Sequence, residues 1–146
     1  MNAYPDTSYL FNLYVPQAHS ARGAAHFANM REPLHITSLN RFELVNAMQL
    51  SVFRNAIPRA SGLLALRKFE ANIESGALIL VSCDWSSVHG RALQFATRYT
   101  SRGGHRGFDI LHVATALELG AKEFLTFDTR QSALAKAAGL KLPLHG

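Results

Sequence analysis

The chain has 146 residues, 48% of them apolar and 17% charged, which suits a single folded domain over residues 1–146 and excludes a disordered segment. Fifteen Lys and Arg against ten Asp and Glu leave a net charge of +5, and eleven of the fifteen are Arg, the side chain suited to bidentate phosphate contacts. The longest purely apolar run, Ala77 to Val81, is too short to span a bilayer, so no membrane association is expected.

In chain order, residues 2–5 read as a short first strand, and 8–14 and 18–31 as helices around the Pro16 break. "LHITS", Leu34 to Ser38, reads as a strand and is followed by a helix over about 40–55. Pro58 opens a helix that runs to about Glu74 and stops at Gly76. "ALILVSC", 77–83, is the clearest strand pattern; a helix over roughly 85–101 follows and ends near Gly103 and Gly104. A helix over 108–119 is closed by Gly120, "EFLTF" (123–127) reads as a strand, and a helix over 129–138 stops at Gly139. "LKL", 140–142, is a candidate last edge strand. This alternation with short connections predicts a parallel sheet covered by helices on both faces. Pro5 sits awkwardly in it, because proline removes a donor from a strand that should be internal.

The N-terminus has no basic region followed by a long apolar segment, and Asp6 stands where a leader would be uncharged, so a cytoplasmic protein is expected. The lone Cys83 permits no internal disulfide and, within an apolar run, reads as a buried structural thiol. The seven His show no zinc spacing; His112, one turn after Asp109, reads as a packing residue.

Sites in an open parallel α/β sheet form beyond the carboxyl ends of the strands. Asp6 follows the first strand, Glu43 lies in the first turn of the helix after "LHITS", Asp109 opens "GFDILHVATAL", and Asp128 follows "EFLTF". Each has an ordinary helix-capping reading: Asp128 with Gln131, and Asn40 with Glu43, have capping-box spacing, and an anion in a first turn suits the helix dipole. Several carboxylates gathered at one sheet edge need a counter-charge, which a hard divalent cation supplies.

The runs "DTSYLFNLYV", "TSLNRFELVNAM", "HRGFDILHVATALELGA" and "FLTFDTRQSALAKAAGL" together resemble, in order and spacing, the PIN-domain ribonucleases, particularly VapC-type toxins of bacterial toxin–antitoxin pairs. The resemblance implies a three-layer α/β/α sandwich with a parallel sheet of about five strands (site geometry as in). It implies RNA cleavage dependent on Mg²⁺ or Mn²⁺, with Asp6, Glu43, Asp109 and Asp128 as catalytic acids and metal ligands. Thr7, Ser8 and Thr126 match positions that steady the site, and Asp84 has no counterpart and reads as an N-cap. A small antitoxin and a second copy of the chain, as a homodimer, are the implied protein partners.

RNA would also need a grip. "RYTSRGGHR" supplies Arg98, Tyr99, Arg102 and Arg106 just ahead of Asp109, with Arg98 and Arg102 at helical i, i+4 spacing, and Arg130 follows Asp128. The equally ordinary reading is a solvated helix end with favourable C-terminal cations. For the antitoxin, the helices over 8–31 and 40–74 offer Phe27, Met30, Phe53, Leu63, Leu66 and Phe69, residues that core packing would also explain. Competing readings are a PIN nuclease that processes RNA without being a toxin, and a doubly wound phosphoryl-transfer or receiver-like module. Against the latter, Ser8 stands where a phosphatase pattern wants a second Asp, no Lys follows "FLTF", and no Gly-rich phosphate loop precedes a helix.

Overall fold

The computed structural model describes residues 2–145. Its backbone groups into two compact units: residues up to Asp6 together with those from Ser82 onward, and Thr7–Val81. No helix of the described residues is long and apolar enough to cross a membrane.

The first unit holds strand β1 (Ala3–Pro5), helix α5 (Trp85–Phe95), a π-helical turn (Ala96–Thr100), the short helix α6 (Ser101–Gly103), α7 (Gly107–Glu118), β4 (Glu123–Leu125) and α8 (Thr129–Ala137). β1 and β4 pair in parallel, Ala3 opposite Glu123 and Pro5 opposite Leu125. The segment read as a last edge strand adds one parallel bridge, Lys141 to Glu123. Pro5 fits because it is the last paired residue of β1, and the ladder resumes with the Asp6 N–H donating to the Leu125 carbonyl at 2.9 Å. Groups on a strand alternate in direction, so the Pro5 nitrogen faces away from β4. Tyr4 stacks on Phe124 with ring centroids 5.8 Å apart, and both are fully buried with Ile110, Val113, Leu134 and Leu140. Truncating Phe124 to Ala would cost about 3–5 kcal/mol on the general scale for buried aromatics. His112 is buried and its Nδ1 lies 2.8 Å from the Tyr4 hydroxyl, the packing role read for it.

The second unit holds α1 (Thr7–Tyr14), α2 (Ser20–Ala28), β2 (Leu34–Ile36), α3 (Ser38–Phe53), α4 (Arg59–Ser75) and β3 (Leu78–Leu80). β2 and β3 also pair in parallel, Leu34 opposite Leu78 and Ile36 opposite Leu80. Phe69 of α4 meets Tyr14 edge to face at 5.5 Å, and Asn72 Nδ2 donates to the Tyr14 hydroxyl at 2.7 Å. Burial pushes the Tyr14 phenol up to about 12, against a smaller lowering by that Asn72 bond. A side chain at Gly62 would place its Cβ 2.6 Å from a Val52 methyl, so glycine there allows α4 to pack closely beside the end of α3.

Helix and strand order agree with the sequence reading, as does parallel pairing, and the α/β class stands. Gly76, Gly120 and Gly139 end their helices with positive φ, the left-handed conformation that glycine adopts without a Cβ penalty. Three expectations change. The strand read at 77–83 is only Leu78–Leu80, with Ile79 37% and Leu80 44% exposed. Cys83 therefore lies beyond the strand and is half-buried; desolvation, then the Glu118 and Asp84 carboxylates, push its thiol up. The helix read over 85–101 is interrupted by the π turn over Ala96–Thr100, which passes into the short α6.

Candidate functional site

Three of the four acids lie in the first unit, and a chain of hydrogen bonds joins them. Asp6 directly follows β1 and is 3% exposed. Its Oδ2 accepts from the Thr126 hydroxyl at 2.5 Å. Thr126 is fully buried one residue past β4, and its Oγ1 also accepts from the Asp128 N–H at 3.0 Å. Parallel pairing of β1 with β4 is what puts the two strand ends, and so Asp6 and Thr126, side by side.

Asp128 is the N-cap of α8 and its Oδ1 accepts from the Gln131 N–H at 2.9 Å. The capping box read from the sequence is half formed. The Asp128 N–H goes to Thr126, and the Gln131 side chain turns elsewhere, donating from Nε2 to the backbone carbonyl of Asp109 at 3.0 Å. Gln131 is 2% exposed, and its Oε1 is buried with no hydrogen-bond partner among the described residues. It thus ties the first turn of α7 to the N-terminus of α8, a role that its sequence position as a capping partner did not announce. Asp109 sits in the first turn of α7 with its side chain 22% exposed, paired with Arg106 at 3.3 Å.

Glu43 belongs to the second unit. The box expected from Asn40 and Glu43 is displaced by one turn: Thr37 caps α3, and Asn40 Oδ1 accepts from the Thr37 N–H at 2.7 Å. Glu43 is thereby released from capping, and its Oε1 accepts from the Thr7 hydroxyl. Thr7 and Ser8 begin α1, and the Ser8 carbonyl accepts from Asn12 Nδ2 at 2.7 Å. Asp84 is an N-cap as read, fully exposed, accepting from the Ser87 N–H and hydroxyl, which hold its carboxyl below the usual range.

The basic residues divide. Arg106 is engaged with Asp109, and Arg98 lies over the Tyr99 ring at 5.3 Å. Arg102 is exposed on α6, and Arg130 lines a depression with Tyr99 and His105. Of the apolar candidates, Phe69 is core, Phe53 is 81% and Leu63 48% exposed, and Phe27, Met30 and Leu66 are half-buried.

Among the described residues, no group of three or more His, Cys, Asp and Glu side chains is disposed to hold a metal ion. The donor chemistry at Asp6, Asp109 and Asp128 is carboxylate oxygen, which suits a hard divalent cation. Mg²⁺ is commonly held by one or two carboxylates, waters and substrate phosphates, without a closed protein cage, so these residues fit it.

The sequence matches the family described as PIN domain over residues 3–137. No curated protein sequence matches. Among solved structures, the chain is similar to VapC20 of Mycobacterium tuberculosis, described as a sarcin–ricin loop cleaving toxin, at 17% identity and a TM-score of 0.68, covering 90% of this chain and 94% of that one. It is similar to VapBC-1 of nontypeable Haemophilus influenzae at 14% identity and a TM-score of 0.65, covering 97% and 96%. FitAcB of Neisseria gonorrhoeae aligns at 16% identity and a TM-score of 0.61 over 99% of both chains. These likenesses carry the fold.

Proposed function

The chain belongs to the PIN-domain family, and on that premise we propose that it is a Mg²⁺- or Mn²⁺-dependent endoribonuclease acting as the toxin of a toxin–antitoxin pair. The observation that supports this most is the bonded series Asp6, Thr126, Asp128, Gln131, Asp109, which runs from the Asp6 carboxylate beside the ends of β1 and β4, through the Asp128 N–H and carboxylate, to the backbone carbonyl of Asp109. Capping accounts for Asp128. It does not account for a carboxylate as buried as Asp6, whose desolvation a nearby cation would offset.

In this reading Asp6 and Asp109 would hold the metal directly, and Asp128 and Glu43 would serve the same chemistry and orient the attacking water. Glu43 is assigned to the same chemistry by its place in the motif "TSLNRFELVNAM". Bound there, the metal supplies a water of lowered pKa and offsets charge on the phosphate. Thr126 holds Asp6 in one orientation, and Thr7 does the same for Glu43. Arg98, Arg102, Arg106 and Arg130 contribute positive charge for the RNA backbone, and Tyr99 a ring for a base.

The toxin role is brought here from the description of VapC20 and supported by two apolar surfaces of the second unit. One depression of about 250 Å³ is lined by Leu13, Val15, Leu64 and Ala65, a seat for an apolar antitoxin helix. Another of about 470 Å³ is lined by Phe42, Val45 and Leu80, suited to self-association. A cytoplasmic location is part of the same proposal.

Purified protein should cleave RNA only with Mg²⁺ or Mn²⁺ added. Asp6→Asn and Asp109→Asn, folded by circular dichroism, should each lose roughly 10³-fold in rate, several kcal/mol of transition-state stabilisation. Variants that cleave as fast as the parent would sink the reading. Induced expression should arrest growth with the parent sequence and not with Asp6→Asn; cleavage in vitro without growth arrest would instead favour an RNA-processing nuclease.

A further inference from the structure

The first unit carries a depression of about 290 Å³, near the lower end of the roughly 300–1,000 Å³ range of small-ligand pockets. It lies where the π turn and α6 meet α8. One wall is apolar, made by Tyr99, Ala133 and Leu134. Its polar part is made by His105, Thr129 and Arg130.

Two features build this shape. The π turn inserts extra backbone into the helix and presents Tyr99, whose ring is braced by Phe95 at 6.0 Å and by the Arg98 guanidinium at 5.3 Å. The His105 ring folds back over Gly103, where an added Cβ would lie 2.3 Å from Nε2, so only glycine leaves room for that ring. Gly104, at φ +65, makes the reversal between them.

We propose that this depression seats one nucleobase of a single-stranded RNA, that of a nucleotide flanking the scissile phosphate, with Tyr99 and the apolar wall against its face and His105, Thr129 and Arg130 at its hydrogen-bonding edge. The inference rests on the ribonuclease reading and names a subsite for it. A nucleobase has flat apolar faces and a polar rim, the same division as the lining. The position also fits. Thr129 directly follows Asp128, and His105 directly precedes Arg106, which pairs with Asp109, so the lining is contiguous in the chain with residues that hold two of the acids. His105 and Thr129 become the residues that set base preference.

The test is amide NMR of the full chain titrated with each of the four nucleoside 5′-monophosphates in the presence of EDTA, alongside RNA cleavage with Mg²⁺. At least one nucleotide should produce saturable shifts at Gly103, Gly104, Ala133 and Ala137. Ala133→Trp, which fills the depression from an exposed helix position, should abolish those shifts with the rest of the spectrum in place. It should also weaken RNA binding about 10- to 100-fold, the scale of one lost base stack, as a rise in KM with kcat retained. No saturable shift at these amides, equal shifts from inorganic phosphate alone, or unchanged binding by Ala133→Trp would each overturn the base subsite. Cleavage by the parent with no base binding removes the subsite alone; base binding with no cleavage removes the ribonuclease reading alone.

Discussion

The two parallel strand pairs of this chain differ in how far they are buried. β1 and β4 are nearly all buried and run into Asp6, Thr126 and Asp128, polar groups that bond one another at the strand ends. In the second pair, β2 also runs into buried, mutually bonded polar groups, Thr37 and Asn40, whereas β3 leaves Ile79 and Leu80 exposed, Leu80 lining a depression with Phe42 of α3. Burial around the first pair raises the cost of every unmatched polar group, so its acids are held in fixed orientations. Exposure along β3 leaves apolar surface, which suits docking.

The sharpest way to break this contrast is Thr126→Val. The shape is kept, but the Asp6 carboxylate and the Asp128 N–H lose their shared partner in a buried place. Stability should fall by about 1–3 kcal/mol in urea melts. Cleavage should fall about 10- to 100-fold, the usual scale for groups that orient metal ligands. Thr126→Ser should recover most of both; a Val variant that matches the parent in cleavage would mean that Asp6 does not depend on this bond.

Asp128 separates capping from chemistry. Asn caps a helix about as well as Asp, so Asp128→Asn should melt within a few tenths of a kcal/mol of the parent, and Asp128→Ala should lose about 1 kcal/mol. If the charge serves cleavage, both lose activity alike, roughly tenfold for each 1.4 kcal/mol of transition-state stabilisation removed. Activity that follows stability, with Asn normal and Ala weak, would return Asp128 to a cap and nothing more.

At the other strand pair, Leu80→Asp should leave the melting curve within about 0.5 kcal/mol, because the side chain is already 44% exposed. It should shift the mass in light scattering from dimer to monomer. A parent that is monomeric at every concentration, or a dimer untouched by the substitution, would take the self-association role from this surface.

The positions of the acids were legible because strand ends and helix starts carry strong local signals. "EFLTFD" and "ITSLN" mark where carboxylates and caps fall, and the glycine stops mark where helices end. The partners of those residues were not legible. A capping box is a local pattern, and tertiary bonds competed for its members: Thr126 took the Asp128 N–H, Asp109 took the Gln131 side chain, and Thr37 took Asn40. The π turn carries no distinctive composition, so "FATRYTS" read as continuous helix. "ALILVSC" read as one strand with a buried Cys83 because an apolar run carries no record of where pairing stops or which residues a sheet leaves uncovered. That His105 and Thr129 line one depression was not legible either, since the reversal at Gly103 and Gly104 is what brings that loop beside α8.

The smallest predicted effect is at Asp84, which shows what an acid at a helix start does when capping is its whole role. It is fully exposed, and the Ser87 N–H and hydroxyl hold its carboxyl below the ordinary value of 3.8. A lowered folded pKa means that the charged form stabilises the fold above the unfolded value, and that this contribution disappears as pH falls through the folded one. Asp84→Asn keeps the cap and removes the charge, which favours a helix N-terminus. Its Tm should therefore lie slightly below the parent's near neutral pH, and the two should converge in acid. RNA cleavage should be the same in both, in contrast with Asp128→Asn. A gap that widens on acidification, or a loss of cleavage in Asp84→Asn, would mean that charge at this exposed turn matters to more than its own helix.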